Sequence, residues 1–238
     1  MNFMNWENIS DYAFVNTDSL KGEPRGIVMN LHGYTDASTF TQSNPYAAAM
    51  GEAGIVFVFP YYSVWAWMSK SSFAYLEEVL DVVYAHYGFD EKTPFVVTGG
   101  SMGGMTAIMY SLYGNKKARA CACNCPVTDL PRIFERGKDM RRAIYSAHNL
   151  DQRPLSECLE ANSPIHNAER LPNIPYYIAF GEKDLGITAE GMEFCKKMKE
   201  LGRELSFDVV PEMGHCNLMQ FPEYAKKYAD FVKKNVLG

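Results

Sequence analysis

The sequence has no long apolar run, no block of basic residues and only five histidines among its 238 positions. Each shortage excludes something. No apolar stretch approaches the roughly 18 residues that a membrane-spanning helix needs, so no membrane span is expected. The opening residues, MNFMNWENISDYAF, have neither the basic start nor the apolar centre of a secretory leader, and a cytoplasmic location is the expectation. Lysine and arginine total 23 against 28 aspartates and glutamates, a net charge of −5 that offers no footprint for nucleic acid. The lysine pairs that begin at Lys116, Lys196, Lys226 and Lys233 are isolated and read as solvated faces. The six cysteines lack C-x-x-C spacing. Three of them alternate in CACNC, at Cys121, Cys123 and Cys125. On a strand they would share one face, too close together for pairwise disulfides, and they read as small buried side chains rather than a metal cluster.

What is present is a chain that is 47% hydrophobic and 21% charged, enough to bury a sizeable core. Strand-length apolar runs alternate with helix-length segments. GIVMNLHG, IVFVFPYY, PFVVTGG, ARACACNC, PYYIAFG and LSFDVVPE read as strands. Between and after them, NPYAAAMGEAG, SFAYLEEVLDVVYAHYG, GMTAIMYSLYG, TAEGMEFCKKMKELG and FPEYAKKYADFVKKNV read as helices, the first with Asn44 as its cap and Pro45 at its first position. The alternation predicts an α/β fold. One mostly parallel sheet of about six to eight strands carries helices on both faces, in a single domain covering 1–238. Residues 127–172 break the rhythm. They contain no strong strand and read as short helices inserted where a cap over the strand ends belongs.

GGSMGG, Gly99 to Gly104, joins the strand PFVVTGG to the helix that follows. A serine on such a sharp turn is strained, and glycines two positions either side relieve the crowding. Gly99-x-Ser101-x-Gly103 is therefore the pattern of a nucleophile elbow. A phosphate-binding loop is the competing reading, but Met105 and Thr106 stand where a Walker A lysine and hydroxyl residue would follow the glycine. The serine needs a base. His86 lies within a helix pattern, His148 and His166 lie in the inserted segment, and His32 ends a strand as a structural residue. His215, in PEMGHCN after the last strand, opens at the same sheet edge as Ser101 and fits the order Ser, Asp, His. The orienting acid is expected in EKDLGIT, where Asp184 has room to turn toward His215 and Glu182 reads as solvated. The amides of Met102, at a helix N-terminus, and Tyr34, after His32-Gly33, are the expected oxyanion donors.

Placed in order at four strand ends, LHGYTDAS, GGSMGG, GEKD and GHCN resemble the α/β-hydrolase superfamily over nearly the whole chain. SPIHNAERLPNIPYYIAFGEKD is similar to the prolyl-oligopeptidase-type branch, and the LHG loop also to small esterases. The resemblance implies a triad of Ser101, Asp184 and His215, with no metal and no organic cofactor. The 238 residues leave none over for the β-propeller of the oligopeptidases, so none is expected. The loop YYSVWAWMSK contains Tyr61, Tyr62, Trp65 and Trp67, which either line an apolar or aromatic acyl pocket or pack under the inserted segment.

The expected partner is therefore a small-molecule ester, cleaved through an acyl-enzyme, with neither nucleic acid nor a membrane involved. A peptidase or amidase is the alternative. A glutamate pair at the cleft would favour it, but Glu77 and Glu78 lie on a helix. A non-catalytic binding protein of the same fold would have no need of the three residues in register. Cys216, beside His215, suggests that activity could respond to thiol chemistry.

Overall fold

In the computed structural model, residues 3–34 and 44–238 are described. The last residues of LHGYTDAS, from Thr35 on, lie outside the described residues. The apolar runs form the strands β1 (Ala13–Val15), β2 (Gly26–Leu31), β3 (Ile55–Pro60), β4 (Phe95–Gly100), β5 (Ala120–Asn124), β6 (Tyr176–Gly181) and β7 (Leu205–Val210). They make one sheet in the order β1-β3-β2-β4-β5-β6-β7. β2 through β7 are parallel, and β3 to β6 are buried along nearly their whole length, as strands covered on both faces must be.

β1 is a strand that the sequence pattern did not show. It is three residues long and pairs antiparallel with β3, Phe14 facing Phe59. Such a run carries no readable alternation. The buried Asn16 just beyond it accepts from the Phe57 amide at 2.7 Å and donates to the carbonyls of Ala47 and Ile55, which locks the edge in place.

The chain continues through α1 (Pro45–Glu52), α2 (Lys70–Tyr87), α3 (Met102–Tyr113), α4 (Leu130–Glu135), α5 (Lys138–His148), α6 (Leu155–Ala161), α7 (Pro164–Asn167), α8 (Leu185–Glu200) and α9 (Pro222–Leu237). Asn44 caps α1 by accepting from the Ala47 amide at 2.8 Å, with Pro45 at the first helical position, as its sequence implied. α3 and α9 each pack across β2, β4 and β5, which puts them on opposite faces of the sheet. α4 to α7 constitute the inserted segment. Their side chains tie down to neighbours: Arg132 and Arg136 pair with Glu193 and Glu190 of α8, and Tyr113 of α3 donates to the Ala161 carbonyl.

One expectation about the cysteines is corrected. Cys121 and Cys123 do share a face, with sulfurs 3.6 Å apart. Cys125 lies one residue beyond the end of β5, at φ 44°, and the left-handed backbone turns it out of the strand's alternation. All six cysteines are free thiols.

The order of the strands places a crevice. β2 leads to β3 on one side, whereas β4 returns to the other side of β2. The loops leaving β2 and β4 therefore part at their carboxyl ends, and ligands of open α/β sheets bind at such a point.

Candidate active site

Ser101 stands in that crevice, between β4 and α3, at φ 55° and ψ −122°. A non-glycine residue held there is strained, and the surroundings over-determine it. Its amide donates to the Asn124 carbonyl at 3.0 Å, and its carbonyl accepts from both Met105 and Val127 at 3.1 Å. The flanking glycines have a steric origin. A Cβ on Gly99 would lie 2.4 Å from the Gly103 carbonyl oxygen, and one on Gly103 would lie 2.1 Å from the Leu31 carbonyl oxygen. Glycine at both positions lets the turn close on itself and α3 close on β2.

His215 reaches the serine from the loop after β7. Its Nε2 is 2.9 Å from the Ser101 Oγ, and its Nδ1 is 2.5 Å from Oδ2 of Asp184. Asp184 immediately precedes α8, yet its side chain makes no capping bond and is committed to the histidine. The two loops that carry these residues are stitched together by backbone: Lys183 donates to the Met213 carbonyl at 2.9 Å and Glu182 to that of Val210 at 3.1 Å. Gly181 permits the approach, since a Cβ there would sit 2.4 Å from the Gly214 oxygen. The Glu182 carboxylate accepts from the Glu212 amide at 3.0 Å and takes no part in the line. The hydrogen bond to Asp184 raises the His215 pKa above the ordinary imidazole value; burial opposes it, and the negative charge of Asp184 adds to it.

Met102 begins α3 directly after Ser101 and is fully buried. Gly33, just before Tyr34, brings the loop after β2 against the serine, its Cβ position 3.6 Å from Cβ of Ser101. His32 anchors that loop. Its Nδ1 is 2.9 Å from the Gly33 carbonyl, and its Nε2 is 3.0 Å from that of Tyr62. Of the remaining histidines, His86 stacks on Trp6, His148 meets the Trp67 carbonyl and His166 meets Ser163.

The aromatic loop has a different place from the pocket wall proposed for it. A cavity of about 810 Å³ opens beside Ser101, and Tyr61, Tyr62, Trp65 and Trp67 do not line it. Tyr62 and Trp67 are 3% and 2% exposed. The Tyr62 hydroxyl donates to the His32 carbonyl at 2.9 Å, while its ring stacks on that imidazole. The Trp67 ring packs on Tyr34, and its amide points to the Met102 sulfur at 3.5 Å. Large flat side chains here fill the space behind the two loops that flank Ser101. Trp65 faces a separate depression with Lys70 and His148, and Tyr61 packs edge-on against Phe59. The inserted segment, residues 127–172, also contributes no lining to the cavity among the described residues.

The described lining comes instead from Tyr46, Phe59, Leu218, Met219 and Tyr228, together with Asn124 and the loop after β2. His32 and His215 supply its ionisable nitrogens, and among the described residues it holds no carboxylate, lysine or arginine. Sequence patterns missed these residues because segments far apart in the chain supply them, namely α1, β3, the turn before α9 and α9 itself. Only NPY at the start of α1 carried a signal, and it read as a helix start.

Three comparisons bear on the chain. The sequence profile described as the prolyl oligopeptidase family matches residues 62–236. No curated protein matches the sequence. Among solved structures, esterase B from Lactobacillus rhamnosis is 14% identical, with a TM-score of 0.70 over 91% of this chain and 76% of its own. A truncated carbohydrate esterase from gut microbiota has a TM-score of 0.71 at 14% identity, over 92% of this chain and 88% of its own. The acylaminoacyl peptidase of Pyrococcus horikoshii has a TM-score of 0.72 at 14% identity, over 90% of this chain but only 37% of its own length. At such identities the shared property is the α/β-hydrolase fold.

Proposed function

The chain belongs to the prolyl oligopeptidase family of serine hydrolases, and on that premise we propose that it is a carboxylic-ester hydrolase acting on small apolar or aromatic esters through Ser101, His215 and Asp184. The reading is carried by the unbroken line of hydrogen bonds from Asp184 through His215 to Ser101, ending at a cavity whose described lining holds no carboxylate, lysine or arginine.

With Nδ1–H donated to Asp184, Nε2 of His215 presents a lone pair to the serine hydroxyl. It takes the proton as Oγ attacks the ester carbonyl. Asp184 holds the tautomer and stabilises the imidazolium that forms. The amides of Met102 and Tyr34 receive the developing oxyanion, a stabilisation for which one donor typically contributes about 10²- to 10³-fold in rate. The imidazolium then protonates the leaving alcohol, and water cleaves the acyl-enzyme with the same base.

Among the described residues the wall offers no carboxylate, lysine or arginine to a peptide terminus, which suits an ester better. Glu77, of the Glu77–Glu78 pair that the sequence places on a helix and away from an amine site, is buried on α2, where it accepts from Tyr110 of α3 and from the Asn115 amide. Peptidase action, the activity that the name of the Pyrococcus relative suggests, is the competing outcome of the test.

The test is hydrolysis of p-nitrophenyl acetate, butyrate and octanoate, and of an acylaminoacyl anilide, by the wild type and by Ser101→Ala. Ester turnover should exceed anilide turnover, rise from acetate to butyrate, and fall on the order of 10⁴- to 10⁶-fold in the variant. Anilide preferred over every ester would replace the esterase by a peptidase. Ester turnover retained in Ser101→Ala would remove the serine mechanism altogether.

A further inference from the structure

Two thiols that acyl transfer does not use stand against the base. Cys216 follows His215 in the chain and lines the cavity; Cys125 is buried behind it, beyond the end of β5. The sulfurs of both and a ring nitrogen of His215 lie within 4.8 Å of one another, with Cys216 Sγ 3.8 Å from Nε2. Both cysteines have left-handed backbones, at φ 44° and 56°, and non-glycine residues held there concentrate at functional sites.

We infer that Cys125 Sγ, Cys216 Sγ and His215 Nε2 form a binding site for one thiophilic divalent cation of the zinc class, and that its occupation silences Ser101. The binding claim stands on the three donor atoms alone; the silencing rests on the esterase reading above.

The donor chemistry fits. Tetrahedral zinc, with bonds of about 2.3 Å to sulfur and 2.0 to 2.1 Å to imidazole nitrogen, sets its donors about 3.5 to 3.8 Å apart. The observed spacing needs only a small closure. The histidine already has the arrangement of a metal-bound imidazole: Nδ1 is held by a carboxylate, which fixes the lone pair on Nε2. The fourth position faces the cavity, where water or Ser101 completes the shell. Without the ion, the thiols rest on backbone, Cys216 donating to the Asn124 carbonyl at 3.2 Å and Cys125 lying 3.9 Å from that of Gly214. Binding releases the thiol protons to solvent and adds two thiolates to the cation, so no oxidant or reductant is required. The same lone pair cannot bind zinc and accept the Ser101 proton, so the two states exclude each other.

The experiment titrates chelator-treated protein with zinc, following p-nitrophenyl butyrate hydrolysis, and with cobalt, following absorption. Wild type should bind one cobalt with a thiolate charge-transfer band and lose activity reversibly, regaining it with chelator. Cys125→Ser and Cys216→Ser, each compared with its own metal-free rate, should need more than about 10-fold more zinc for half inhibition. Ser101→Ala should keep the cobalt band. Absence of the band in wild type, or unchanged zinc sensitivity in both serine variants, would overturn the site. A normal band in a protein that hydrolyses no ester would keep the cation site and reject the esterase instead.

Discussion

At the scale of the residue, His215 governs the pH response. Asp184 raises its pKa, burial opposes that, and Arg136 on the inserted segment repels the imidazolium; Cys125 and Cys216 complete its ionisable surroundings. A base must be neutral to act. Because the folded-state pKa lies above the ordinary imidazole value, the proton is held over a wider range and activity is lost as pH falls through the raised value. The acid limb of kcat/KM for p-nitrophenyl butyrate, measured on chelator-treated protein, should therefore have its midpoint above 6.5, the unperturbed value. Asp184→Asn should move that midpoint down and lower the plateau by about 10⁴-fold, since the imidazole loses both its partner and its tautomer. A midpoint below 6.5 in wild type would mean that the acid is not coupled to the base in solution.

At the scale of the element, the junction of β4 with α3 makes unequal demands on its glycines. Cβ atoms on Gly99 and Gly103 would strike backbone oxygens, which cannot step aside. A Cβ on Gly100 would meet the Cys216 sulfur first, at 3.3 Å, and a side chain can yield. Gly99→Ala and Gly103→Ala should each cost about 3 kcal/mol or more of folding stability, against less than about 1 kcal/mol for Gly100→Ala. Urea unfolding measures this directly, and equal losses at the three positions would refute the steric account. The motif was legible because its serine and glycines lie within five residues and strand, turn and helix follow one another; the crowding of Gly99 by Gly103 is local, although that of Gly103 by Leu31 comes from β2. The neighbouring aromatic loop was not legible. Tyr62 and Trp67 stand behind the loops of His32 and Met102, and an aromatic residue on a loop has the same sequence signature whether it faces a substrate or supports a backbone.

For the whole molecule, acyl selection depends on how distant segments meet. The start of α1, the end of β3 and the turn before α9 bring Tyr46, Phe59 and Met219 to one cavity. Met219 is 56% exposed, so a larger side chain there costs the core little. Met219→Trp should reduce turnover of p-nitrophenyl octanoate at least about 10-fold while leaving acetate within about 2-fold, as expected when only the outer volume of a pocket is filled. Parallel loss on both esters would place the acyl chain elsewhere.

The sequence by itself determined the elements that obey short-range rules. Six parallel strands follow from apolar runs, α1 from Asn44 and Pro45, and the elbow from its glycines. The strand order then sets the sheet edge at which Ser101, Asp184 and His215 emerge. What only the tertiary structure decided are contacts between segments far apart in the chain. These include the three-residue β1, the departure of Cys125 from its strand toward His215, the inward turn of Tyr62 and Trp67, and the cavity whose described lining holds no carboxylate, lysine or arginine. The physical reason is that periodicity and turn chemistry act between neighbours along the chain. Which distant side chains share a space is settled only when the sheet, its helices and its loops pack together.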